Sequence, residues 1–281
     1  MLSGEGRLVT TRPGTPPTGE LIRCAAAHTR AQGTARLFGA SREGSALGGD
    51  VSRTEGVVDL ARRVARATVQ HLTSELEGEM QEAFAEPVDD PEEQEARRGA
   101  VAFIKMFRTS LENVYVGGAT YTHVPDEGWA DFGRADRDGP YSVDHPLWLL
   151  DALLGARDDA VEVGTDDVRG TPTTHLRLTI DLARADDQLT TGIVAPGPRP
   201  YRSLREMPAE VWIDEHGLVR RMSYQSEPPT AGRGEGWQTT ELWHFGVDIQ
   251  IEVPTKDELI PASCEIDARP GGAPPPRATP G

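Results

Sequence analysis

Residues 209–225, AEVWIDEHGLVRRMSYQ, decide how this chain folds. Val211 and Ile213 alternate with Glu210, Trp212 and Asp214. That period of two sends successive side chains to opposite faces of a strand. DEHG, residues 214–217, makes the turn, with Gly217 supplying the positive φ that a tight turn requires. Leu218, Arg220, Met222 and Tyr224 then alternate back with Val219, Arg221 and Ser223. The stretch is a β-hairpin. His216 is a turn residue facing solvent rather than a catalytic group, and the acids and arginines stand where cross-strand pairs use them.

The same period extends on both sides. THLRLTIDLA (174–183) places Leu176, Leu178, Ile180 and Leu182 on one face and His175, Arg177, Thr179 and Asp181 on the other. TTELWHFGVDIQIEV (239–253) aligns Val247, Ile249, Ile251 and Val253 against Asp248, Gln250 and Glu252, which predicts one long strand. NVYVGGATYTHV (113–124) is a hairpin turning at Gly117 and Gly118. A further strand is expected at 34–39. GVVDLARRVARATVQ (56–70) fits either a helix or a long strand, and its β-branched ends and flanking glycine favour the strand. Strands with one polar face predict an antiparallel sheet that is dry on one side.

Helices are fewer. A short one is expected over 25–32, stopped by Gly33. Within 71–111, Leu72, Leu76, Met80 and Phe84 recur every four residues among glutamates. A second stripe, Ala100, Val101, Ile104, Phe107 and Leu111, follows a cap at Asp90 and Pro91. DHPLWLLDALLG (144–155) predicts a helix capped by Asp144 and stopped by Gly155, apolar nearly all round. Such a helix is buried or covers something apolar. Residues 1–19 and the Pro/Gly-rich 266–281 are expected to be flexible, leaving 20–265 as a single domain.

The chain has 281 residues, enough for a sizeable core. Its formal charge of −16 excludes general phosphate-backbone binding, so neither nucleic acid nor an anionic membrane surface is an expected partner. Cys24 and Cys264 offer no CxxC pair, and the seven histidines show no HExxH spacing, so no metal and no cofactor are expected. Neither a GxSxG elbow nor a phosphate-binding glycine motif occurs, and no catalytic residues are assigned. The pairs Asp158/Asp159 and Asp166/Asp167 read as solvated turns. No apolar run reaches the roughly 20 residues of a membrane span, and no signal peptide is legible, so a cytoplasmic location is expected.

The order of helix DHPLWLLDALLG, strand THLRLTIDLA, hairpin PAEVWIDEHGLVRRMSYQ and closing TTELWHFGVDIQIEVP resembles the actinobacterial LppX/LprG-type lipoproteins of the LolA-like superfamily. The likeness is clearest over 143–262, and 71–111 stands as a helical acidic insertion. It implies an α+β fold, a strongly curved antiparallel half barrel with helices closing its concave face. It also implies an apolar cavity holding acyl chains, in relatives that are exported and often lipid-anchored. The candidate cavity residues are Leu147, Trp148 and Leu150 on the helix, with Leu176, Leu178, Ile180, Met222, Tyr224, Trp243 and Phe245 opposite. An ordinary core explains these residues equally well. The expected function is non-catalytic binding of a lipid or other apolar ligand. The alternative is a regulatory or sensory module that engages a protein partner, with the acidic insertion as its docking element.

Overall fold

The computed structural model describes residues 18–42, 51–72, 110–131, 145–189, 205–227 and 236–260. Eleven strands form one antiparallel sheet in the order β6-β5-β4-β3-β2-β1-β11-β10-β9-β8-β7. The strands are β1 Thr34–Arg42, β2 Val51–Asp59, β3 Val64–Leu72, β4 Leu111–Val116, β5 Ala119–Val124 and β6 Gly128–Asp131. They continue as β7 Val161–Val168, β8 Thr171–Asp181, β9 Glu206–Asp214, β10 Val219–Glu227 and β11 Gly236–Trp243. Among the described residues three α-helices accompany them: α1 Thr18–Arg30, α2 Trp148–Ala152 and α3 Leu182–Asp187. The fold is α+β, with a curved sheet that stays open rather than closing into a barrel.

The 209–225 hairpin forms as the sequence predicts, with Gly217 at φ 74°. A bulge between Val219 and Arg221 shifts its phase. Val219, fully buried, therefore takes the inward place expected of Arg220, and Met222 and Tyr224 keep theirs. Residues 56–70 contain not one strand but the hairpin β2–β3. Its turn has no glycine; Arg63 adopts the left-handed conformation instead, at φ 57°.

Three other expectations change. The first helix begins at Thr18, seven residues before the predicted start, because Ile22, Ala25, Ala26 and Thr29 form one buried stripe. The helix predicted over 144–155 has its α-helical part at Trp148–Ala152, with Leu147 as N-cap, and tightens into a 3-10 turn over Leu153–Gly155. Strand β11 ends at Trp243, where His244 and Gly246 take positive φ values of 50° and 72°. The alternating residues beyond then cross the outer face, where Ile251 is buried and Ile249, Val253 and Leu259 pack beside it. Asp166 and Asp167 lie in β7 rather than in a loop. Leu72 ends β3 and Leu111 begins β4 rather than lying in helices, and the rest of the 71–111 insertion falls outside the described residues.

Candidate functional site

The concave face of the sheet carries the main buried cluster. Over β8, β9 and β10 its side chains are mostly large, namely Leu176, Leu178, Ile180, Met207, Val211, Met222 and Tyr224, with Ala209 the small one among them. The apolar stripe of α1, the four apolar residues of α2 and the 3-10 turn pack in this cluster. Trp148 lies 5.1 Å from Tyr224 between ring centroids. Gly155 allows the turn to approach β8, since a Cβ there would stand 2.1 Å from the Asp181 carbonyl oxygen.

Toward β1, β2 and β3 the same face changes character. It presents Ala35 and Leu37, then Gly56 and Val58, then Ala65 and Ala67. All but Gly56 are buried, with at most 2% exposure. Four of these six positions carry a methyl group or less, whereas most inward positions of β8, β9 and β10 carry large side chains.

A polar knot closes the end of the cluster where α1, α2 and the β2–β3 turn meet. The guanidiniums of Arg30 and Arg63 both approach the buried carboxylate of Asp151. Beside them His145 is 1% exposed. Its Nδ1 accepts the N–H of Leu147, which places the ring proton on Nε2, directed at the Arg63 carbonyl oxygen 3.2 Å away. Burial drives the His145 pKa down from 6.5 to about 3, and the Arg63 charge adds to the effect.

Of the residues proposed from sequence, Leu147, Trp148, Leu150, Leu176, Leu178, Ile180, Met222 and Tyr224 all meet in this buried cluster. Phe245 packs on its flank. Trp243 does not join them, because Leu242 is the inward residue of that pair and turns Trp243 to the outer face. Sequence reading missed Ile22, Leu37 and the alanines of β1 and β3. The signal for Ile22 was its i, i+3, i+4 spacing with Ala25 and Ala26.

The outer face holds a ladder of rings and charges. Arg169 lies 3.8 Å from the Trp243 ring centroid, and its Nε donates to Glu241 at 2.7 Å. Glu241 also accepts from Arg221, whose guanidinium sits over Trp212. Trp212 stacks on His175 at 4.1 Å, and Glu210 joins His175 to Arg177.

Among the described residues no group of His, Cys, Asp or Glu is placed to hold a metal ion, and no helix is long and apolar enough to cross a membrane. No protein-family model and no curated protein matches the chain in sequence. Among solved structures it is similar to LprF from Mycobacterium bovis, at 13% identity and TM-score 0.45, covering 85% of this chain and 98% of that one. It is similar to the Mycobacterium tuberculosis lipoprotein LppX at 14% identity and TM-score 0.45, covering 85% and 100%. A putative outer membrane lipoprotein-sorting domain from Vibrio parahaemolyticus is similar at 7% identity and TM-score 0.25, covering 80% and 89%.

Proposed function

We propose that the chain binds a lipid or other apolar ligand, without catalysis, between the concave face and the helices. The observation that carries this reading is the change of side-chain size along one continuous buried apolar face. Mostly large residues pack against α1 and α2 at one end, Ala209 excepted, whereas Ala35, Ala65 and Ala67, with Leu37 and Val58 between them, line the other. The floor of the ligand site is the small-residue half. Its end wall is formed by Leu147, Trp148, Leu150, Leu176, Leu178, Ile180, Met222 and Tyr224, with Phe245 at the rim. Apolar lining with few polar groups is the usual make-up of a ligand pocket. The resemblance to the LppX/LprG-type lipoproteins supports the same reading.

Native mass spectrometry and solvent extraction of the purified chain test it. Co-purified acyl chains are the expected result. A chain that carries no extractable apolar molecule and takes up no fluorescent fatty acid rejects the reading. A second reading, a regulatory module acting through a protein partner, draws support from the ring and charge ladder on the outer face. A stable co-purifying protein without lipid favours it.

A further inference from the structure

The outer face has a feature that an apolar cavity on the opposite side does not require. In a chain of formal charge −16, Arg36, Arg42 and Arg53 stand exposed together on the outer side of the adjacent strands β1 and β2. Among the described residues none of the three has an ion pair, a side-chain hydrogen bond or a ring contact. This sets them apart from Arg66, Arg169, Arg177 and Arg221 on the same face, each of which is paired with a glutamate.

The register places these arginines in a pattern. Along β1 the outward residues are Arg36, Phe38, Ala40 and Arg42. On β11, Trp243 lies opposite Arg36 and Trp237 lies opposite Arg42. Two Arg–Trp pairs thus stand six residues apart, about 20 Å at the rise of a strand. The positions between them on β1 are uncharged and half-buried. Four of the five tryptophans face outward, Trp129, Trp212, Trp237 and Trp243, and only Trp148 belongs to the concave cluster. Trp and Arg are the residue types most enriched where proteins bind one another.

We propose that this strip docks an extended acidic segment of a partner protein. Carboxylates of the segment meet Arg36 and Arg42, with Arg53 alongside, and its apolar side chains rest on Trp237 and beside Phe38, whose ring also has the Arg169 guanidinium 5.3 Å from its centroid. Charge complementarity selects the partner. Among the described residues, a segment lying along β1 meets three arginines against one exposed acid, Glu55 opposite Phe38, because Glu241 on the other side is already paired with Arg169 and Arg221. More distant acids are screened beyond a Debye length of about 8 Å at physiological salt. An anionic bilayer, by contrast, is a broad plane that faces the whole −16 chain. The proposal uses the face opposite the ligand site, so the two stand or fall separately.

The test is fluorescence anisotropy on the full chain, with a labelled peptide of about twelve residues repeating Glu-Ser-Leu-Ser, which sets Glu and Leu in turn along one face of an extended segment and is long enough to span the strip. A Lys/Leu peptide of equal length and pattern and vesicles of phosphatidylcholine and phosphatidylglycerol serve as comparisons. The Glu/Leu peptide is expected to bind, and to weaken as salt is raised. The variant Arg36→Glu/Arg42→Glu/Arg53→Glu is expected to bind about tenfold more weakly or worse, and the Arg→Lys triple to retain most of the affinity. Uptake of a fluorescent fatty acid is expected to be the same in all three proteins. Circular dichroism checks the fold, and if the triple reversal unfolds, Arg42→Glu alone is expected to weaken binding several-fold. Equal binding by the reversed variant, no binding by the parent chain, or equal binding of the Lys/Leu peptide overturns the proposal. So does arginine-dependent binding to the vesicles in place of the peptide, which assigns the strip to a membrane.

Discussion

Arg220 Nε donates to Asp214 Oδ2 at 2.6 Å across the turn of the β9–β10 hairpin. The other oxygen of Asp214 accepts the N–H groups of His216 and Leu218, both at 2.9 Å. One side chain with no exposure thus organises the whole turn. Asp214→Ala leaves two backbone donors and a half-buried guanidinium without their acceptor. Denaturant unfolding is expected to show a loss of about 2–4 kcal/mol. In the same turn His216→Ala is expected to change stability by less than about 0.5 kcal/mol, its side chain being 71% exposed. Gly217→Val costs more, roughly 1–2 kcal/mol, because a β-branched residue is strained at φ 74°. A reversed order of these last two contradicts the account of the turn.

Stability should fall on the acid side through His145. Its folded pKa of about 3 lies below the ordinary 6.5, so the unfolded chain binds the proton first as pH drops. The contribution of the neutral ring is complete above pH 6.5 and is lost progressively as pH falls toward 3. Within that window the slope for this group approaches about 1.4 kcal/mol per pH unit. Protonation also removes the lone pair that accepts the Leu147 N–H. His145→Gln should flatten the acid limb in urea melts taken between pH 4 and pH 7. An unchanged pH profile in that variant rejects this role.

The two halves of the concave face should respond oppositely to substitution. Leu178→Ala sits in the large-residue half and is expected to cost about 2–5 kcal/mol. Ala67→Phe adds volume where the ligand is proposed to lie. It should cost less than the roughly 1–3 kcal/mol of overpacking a filled core, and should weaken uptake of a fluorescent fatty acid. Strong destabilisation by Ala67→Phe, with no effect on uptake, identifies a filled core at that position.

Gly155→Ala should destabilise by more than an average substitution. The new methyl meets the backbone carbonyl of Asp181 at 2.1 Å, and backbone cannot rotate aside as a side chain can. A drop of at least about 2 kcal/mol is expected in thermal or denaturant unfolding. A neutral result means that the 3-10 turn is free to move away from β8.

Strands β8 and β9 were legible because one dry face imposes a strict period of two on Leu176, Leu178 and Ile180 and on Val211 and Ile213. The β2–β3 turn was hidden because Arg63 does what glycine ordinarily does. The end of β11 was hidden for the opposite reason. Ile249, Ile251 and Val253 go on alternating although they cross the sheet rather than extend it, since burial of every second residue needs only an extended chain. The candidate site was readable as a set of apolar residues, but Trp243 shows the limit. A one-residue phase in β11 decides which ring faces inward, and periodicity alone does not set that phase. Of the outer ladder only the cross-strand use of Glu210 and Arg221 was readable, because nothing local links Arg169 to Trp243.

Nine of the sheet's ten strand pairings join neighbours in sequence; the tenth sets β1 against β11, bringing Leu37 beside Leu242. The sheet is therefore two meanders sewn along one seam, and the seam closes a loop of about 200 residues. Pairings that distant slow folding far more than they affect stability. Each meander can form from its own stretch of chain, and the docking of one on the other completes the molecule. Linking residue 281 to residue 1 and opening the chain between β6 and β7 cuts the separation across the seam from about 200 residues to about 80, so such a circular permutant is expected to gain speed of folding rather than stability.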